Sequence, residues 1–156
     1  MTVTVIGTAL PPWGADAARV PGADEDAVTL AVDAGRAAIE AAGGAPVARV
    51  VLVTRDLPLV EGGNGAALVA GLGLPPGTDV VEQVGGAPAV LDQVTAAAPG
   101  TLVIGADIAA ASGAAAALVG TGAGLVVERV ARVQHSLPVR ARGRDGREVE
   151  RRGGRG

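Results

Sequence analysis

Few side chains in this 156-residue sequence could do chemistry, and their types narrow that chemistry sharply. Cysteine is absent, which excludes thiol nucleophiles, disulfides, zinc knuckles and iron–sulfur clusters. His135 is the one histidine and cannot build a multi-histidine metal centre. Thr54, Thr95 and Ser112 carry formally nucleophilic hydroxyls, but nothing near them in sequence can act as a base, so they read as turn or surface hydroxyls. His135 with Ser136 suggests a hydrolase pair, yet neighbours on a strand point to opposite faces and would not meet. Arg55-Asp56 reads as a local ion pair of little worth. Asp107 ends an apolar strand, where open α/β sheets bind ligands, and reads equally as a cap on the next segment. Gly85-Gly86 stands between a strand and a helix, a place that can cradle a phosphate or serve as a tight turn. Gly85, Gly86 and Asp107 are thus the ligand-binding candidates. The first strand is not followed by GxGxxG, and GxxxxGK[ST] does not occur, so nucleotide binding has little support. Nothing in the pattern calls for a cofactor or a metal.

The elements that must position these residues follow from periodicity. Thr2–Ile6 is a β-branched run stopped by Gly7 and predicts a strand. Ala9–Pro21 predicts a loop, with Trp13 as an interface anchor or a residue folded over the core. Asp24 is placed to cap a helix with Glu25 and Asp26 in its first turn. Ala27, Leu30, Ala31, Ala34, Ala38 and Ala41 then recur at helical spacing until Gly43-Gly44. Val47–Thr54 is uniformly apolar and predicts a strand buried on both faces. A short helix from Gly65 to about Gly71 is stopped by Gly73 and Pro75-Pro76. Asp79–Val84 is a strand, Ala89–Ala98 a helix closed by Pro99-Gly100, and Thr101–Ala106 a strand. Ala114–Val119 and Leu125–Val133 read as two further strands joined by a Gly-rich turn. Helices alternating with apolar strands predict an α/β fold, a mainly parallel five-stranded sheet with helices on both faces and an antiparallel closing strand.

Composition bounds the rest. The chain is 49% hydrophobic and only 19% charged, enough apolar content for one core without staples and too little charge for wholesale disorder. It holds one Trp, no Phe and no Tyr, and every basic residue is Arg. We read this as the codon bias of a GC-rich genome. Its physical consequence is a core of Val, Leu and Ala. Residues 1–139 carry a net −7 and residues 140–156 a net +4. The acidic body argues against nucleic acid as the main partner. The sequence divides into a domain over 1–139 and an Arg/Gly-rich tail over 140–156 expected to be flexible. The start has no basic n-region of a signal peptide, which leads to the expectation of a cytoplasmic protein. Ile108–Val127 is 20 residues without a charge, so a small protein anchored in a membrane through it is one alternative. Its Ala and Gly content barely favours insertion.

Several stretches, in order, resemble the N-terminal half of the thiolase superfamily, nearest the 3-hydroxy-3-methylglutaryl-CoA synthase and ketoacyl synthase III branch. They are Asp24–Ile39, like that branch's first helix; Val50–Thr54 and Gly65–Leu74; Val80–Ala89; Val103–Asp107; and Gly113–Gly120, like its "GaaAlllg" strand. The resemblance covers about residues 1–127. It implies a half of a five-layer αβαβα sandwich that makes or breaks C–C bonds on acyl thioesters. In such proteins the nucleophilic Cys opens the third helix, where the helix N-terminus lowers its pKa. The matching place here falls at Ala87 or Pro88, neither of which can attack a thioester. The branch's acid/base Glu follows the second strand's Thr, and its place here is Arg55, which cannot shuttle protons. The family's His and its His/Asn partner lie beyond the matching stretch. The resemblance therefore implies a thiolase-like pseudoenzyme of lipid metabolism with no catalytic residue of its own. The expected partners are a second copy, as a homodimer, or a complementary thiolase-type chain, with an acyl-CoA or acyl-carrier group as a contact. The alternative is a component of a C–C bond-forming acyltransferase whose nucleophile comes from a partner chain.

Overall fold

In the computed structural model, which describes residues 1–14, 19–58, 63–108, 112–131, 139–142 and 148–151, three helices pack on a six-stranded mixed sheet. The elements are β1 (Thr2–Ala9), α1 (Ala27–Ala41), β2 (Arg49–Thr54), α2 (Gly65–Leu72), β3 (Asp79–Val84), α3 (Ala87–Ala96), β4 (Thr101–Asp107), β5 (Gly113–Gly120) and β6 (Leu125–Val126). A separate antiparallel ribbon joins β7 (Val139–Arg142) to β8 (Glu148–Arg151). The sheet order is β3-β2-β4-β5-β1-β6. β2 pairs in parallel with β3 and β4, whereas β5 is antiparallel to both β4 and β1. β1 to β4 therefore run one way and β5 against them, so the α/β reading with an antiparallel closing strand holds. β6 adds a sixth strand at the edge.

The stretch 108–127 holds β5 and β6, and no helix among the described residues is long and apolar enough to cross a membrane. That removes the helical-anchor alternative. The Gly-rich segment within it is also different from the hairpin turn that its composition suggests. Thr2 pairs with Gly120 on one side and Val126 on the other, so β1 lies between β5 and β6. The chain crosses over β1 at Thr4. A Cβ on Gly120 would stand 2.9 Å from Thr4 Cγ2, and one on Gly124 would overlap the Val3 carbonyl. Glycine is needed there for close approach of two backbones. β6 is then only two residues long, where the sequence suggested a strand running to Val133.

α1 begins at Ala27, not after Asp24. Asp26 is the cap: its Oδ1 accepts from Val28 N (2.9 Å) and Thr29 N (2.8 Å), and Thr29 Oγ1 accepts from Asp26 N (2.7 Å). Glu25 is drawn away from the helix by the Gly22 N–H at 2.6 Å. Ala27, Ala31, Ala34 and Ala38 form a stripe with no solvent exposure. They lie against β1 and β5 because the facing positions are small, Gly7 on β1 and Ala114 and Ala116 on β5. A side chain on Gly7 would run into the backbone of Ala34 and Ala38. Close approach of backbones supplies the dispersion contact that aromatic bulk would otherwise give. Leu30, Leu68, Leu72, Leu52, Leu102 and Ile104 complete this core.

α3 covers the other face. Val90 and Val94 pack on Val51, Val53 and Val103, and α3 is seated by two glycines. A Cβ on Gly105 would come within 2.7 Å of Val90 Cγ2, and one on Gly85 within 2.6 Å of Ala89 Cβ. Only Val94 of α3 is buried. Among the described residues no helix covers the β1–β5 half of this face, leaving Ile6, Thr8, Leu10 and Ala115 exposed beside Leu91. After β6 the chain returns to α3, where Arg129 contacts Asp92 Oδ1 (3.0 Å) and donates to Thr95 Oγ1 (2.7 Å).

Candidate functional site

The strands β2, β3 and β4 end together, and an open cleft of about 650 Å³ lies at their ends beside the start of α3. Its walls are apolar: Leu10 from the β1 end, Val53, Val90, Leu91, Ala106 and Ala115. Gly85 and Gly86 line it at the β3–α3 turn, and Asp107 and Ser112 where β4 gives way to β5. The three ligand-binding candidates from the sequence, Gly85, Gly86 and Asp107, thus meet in one cleft with Ala87. The C-terminal edge of the parallel strands gathers them there.

Gly86 caps α3 in an extended conformation with no side-chain bond, and Pro88 sits in the first turn. Pro88 brings no N–H, so the start of this helix offers fewer donors to a ligand than an ordinary helix would. Ala89 N and Val90 N both donate to Gly86 O, at 2.9 and 3.2 Å.

Arg55 does not pair with its neighbour Asp56. Thr54 stands opposite Ala106 in the parallel register, which carries Arg55 alongside Asp107. Arg55 Nε donates to Asp107 Oδ2 at 2.7 Å, and Arg55 Nη2 binds the same oxygen. The Arg55 side chain is 60% exposed and that of Asp107 25%, so the pair is worth under about 1 kcal/mol. It sets charge at the rim without adding much to stability.

The hydroxyls behave as structural groups, with one addition. Thr54 is fully buried and its Oγ1 accepts from Asp56 N at 3.1 Å. Thr95 Oγ1 donates back along α3 to the Leu91 and Asp92 carbonyls at 3.0 Å each. Ser112 is 4% exposed and lines the cleft with Asp107. His135 and Ser136 lie outside the described residues. Trp13 is 66% exposed and bridges to Val20 instead of covering the core. Among the described residues no cluster of His, Cys, Asp and Glu could hold a metal ion.

A second cleft of about 510 Å³ lies at the start of α2. Here sequence reasoning missed Glu82. Asn64 makes no side-chain cap bond to α2, and Glu82 reaches across from β3 to do so. Its Oε1 accepts from Gly65 N at 2.7 Å and its Oε2 from Asn64 Nδ2 at 2.9 Å. Burial pushes the Glu82 carboxyl up, but the Asn64 side chain and the Asn64 and Gly65 backbone N–H groups outweigh it and hold the group below its ordinary value. An acid inside a strand, after Val80 and Val81 in DVVEQV, was the available signal.

No family model and no curated protein matches the sequence. Solved structures do match in three dimensions. The fold is similar to 3-oxoacyl-(acyl carrier protein) synthase III from Pseudomonas aeruginosa, with a TM-score of 0.62 and 19% identity over 78% of this chain and 50% of that one. It is similar to the priming β-ketosynthase of the R1128 polyketide pathway at TM-score 0.68 and 19% identity, covering 78% and 50%. A tetronic acid condensing enzyme matches at TM-score 0.66 and 23% identity, covering 79% and 50%. The chain therefore has a thiolase-like fold, as its residues suggested, and spans about half the length of these structures.

Proposed function

We propose that this thiolase-like domain is a noncatalytic subunit that assembles with itself or with a complementary thiolase-type half, and whose cleft contacts an acyl group carried on CoA or an acyl carrier. The observation that supports this is the chemistry at the mouth of the cleft. By the resemblance, the family's nucleophile position falls at Ala87 or Pro88, at the start of α3, and the place of its acid/base Glu at Arg55, which is engaged by Asp107. An alkyl group, an imino ring and a permanent cation cannot form an acyl-enzyme or relay its proton. The exposed apolar residues on the β1–β5 half of one sheet face, which no helix among the described residues covers, support assembly. That exposed face also agrees with the alternative reading, in which the partner chain brings the nucleophile.

The test is direct. Purified chain is incubated with an acyl-CoA and its intact mass is measured, alongside its solution mass by light scattering. We expect no covalent acyl adduct and a mass above that of one chain. An acyl adduct on the chain alone would overturn the reading, and so would a monomer that no thiolase-type chain recruits.

A further inference from the structure

Resting on the reading of the cleft as a noncovalent site, we infer that, beside a carried acyl group, it also takes a free amphipathic carboxylate, with its apolar chain in the cleft and its headgroup sharing the Arg55 guanidinium with Asp107. Three features of the cleft and its rim point to a carboxylate headgroup. First, the walls are built from Leu10, Val53, Val90, Leu91 and Ala115, and about 650 Å³ is within the range that small ligands fill. Second, both bonds from Arg55 to Asp107 converge on the single oxygen Oδ2. A guanidinium carries five N–H donors in a planar fork, and the Arg55 side chain stays 60% exposed, so a second carboxylate can dock on the same cation. Third, the cation stands beside two residues that line the cleft: it pairs with Asp107, and a Cβ on Gly86, at the cap of α3, would lie 4.0 Å from Arg55 Cδ. The helix start adds a favourable field for an anion, while Asp107 opposes it. Asp107 therefore restrains affinity, and its charge is the variable to remove. No bond is made or broken.

The probes are sodium decanoate and its neutral isostere decanamide, titrated below micelle-forming concentration into the folded full chain by calorimetry. We expect decanoate to bind about tenfold tighter than decanamide, the scale of one hydrogen bond to a charged group. Arg55→Gln should abolish that preference. Asp107→Asn should tighten decanoate several-fold and leave decanamide unchanged, an effect that a merely structural pair would not produce. Urea midpoints confirm that each variant is folded; if Arg55→Gln does not fold, Arg55→Lys, which keeps the charge and loses the fork, should weaken decanoate selectively. Equal binding of the two probes, indifference to both Arg55 variants, or no binding of either overturns the inference. Those failures would leave the noncatalytic reading standing, since that one falls on covalent acylation instead.

Discussion

Replacing Glu82 by Gln removes one charge and one acceptor from a contact that joins β3 to the start of α2. The wild-type carboxylate receives Gly65 N at 2.7 Å and Asn64 Nδ2 at 2.9 Å. A Gln side chain can still accept from Gly65, but its own NH₂ then confronts the NH₂ of Asn64. Bonds to an ionised acceptor contribute about 1.5–3 kcal/mol where they are buried, and the half-buried position of Glu82 brings the expected loss to about 1–2 kcal/mol. For a chain of this length that lowers the melting temperature by about 2–4 °C per kcal/mol. The folded carboxyl titrates below its ordinary 4.5, so its stabilisation is fully present above that pH and is lost as pH falls through the folded value. Urea unfolding at pH 7 and again at pH 3 should therefore show a gap between wild type and Glu82→Gln at neutral pH that narrows in acid. A variant as stable as wild type at pH 7, or a gap that persists unchanged at pH 3, would refute this account of α2 capping.

Three other outcomes follow from the same geometry. Asp26→Ala removes an acceptor for two N–H groups of α1 and should cost about 1 kcal/mol in urea unfolding, with little change on Asp24→Ala. Gly7→Ala places a methyl group against the backbone of Ala34 and Ala38, so its melting temperature should fall by more than that of Gly77→Ala, where nothing stands within 4 Å. Leu91 is 61% exposed on α3, so Leu91→Asp should leave the urea midpoint of the single chain within about 0.5 kcal/mol of wild type. If assembly uses that face, the same change should lower the solution mass to that of one chain.

Sequence patterning carried the elements further than the site. The Ala27–Ala38 stripe and the uniform strands Val50–Thr54 and Thr101–Ala106 are legible because one-sided or two-sided burial leaves its period in the residues. The helix start was misplaced by two residues, since Asp24, Glu25 and Asp26 are all competent caps and only the pull of Gly22 on Glu25 and the reciprocal bonds of Thr29 choose among them. The Gly120–Gly124 segment has the composition of a hairpin turn. That it crosses β1 instead depends on where β1 lies, which no local pattern encodes.

Gly85, Gly86 and Asp107 were each visible as candidates, but the apolar walls around them were not. Leu10, Val90 and Ala115 come from three elements far apart in the chain, and each looks like ordinary core filling. The pairing of Arg55 was likewise assigned to Asp56 by adjacency, whereas strand register hands it to Asp107 across 52 positions.

The residues alone determined which chemistry this chain can do by itself: with no sulfur nucleophile, one histidine and an arginine after Thr54, the available functional groups are set by composition. Tertiary structure alone decided that Arg55 meets Asp107, that Glu82 caps α2, and that Ile6 and Leu10 stay exposed on one sheet face. The physical reason is that functional groups are covalent properties of single residues, whereas ion pairs, caps and clefts arise from strand register and helix seating between segments distant in sequence.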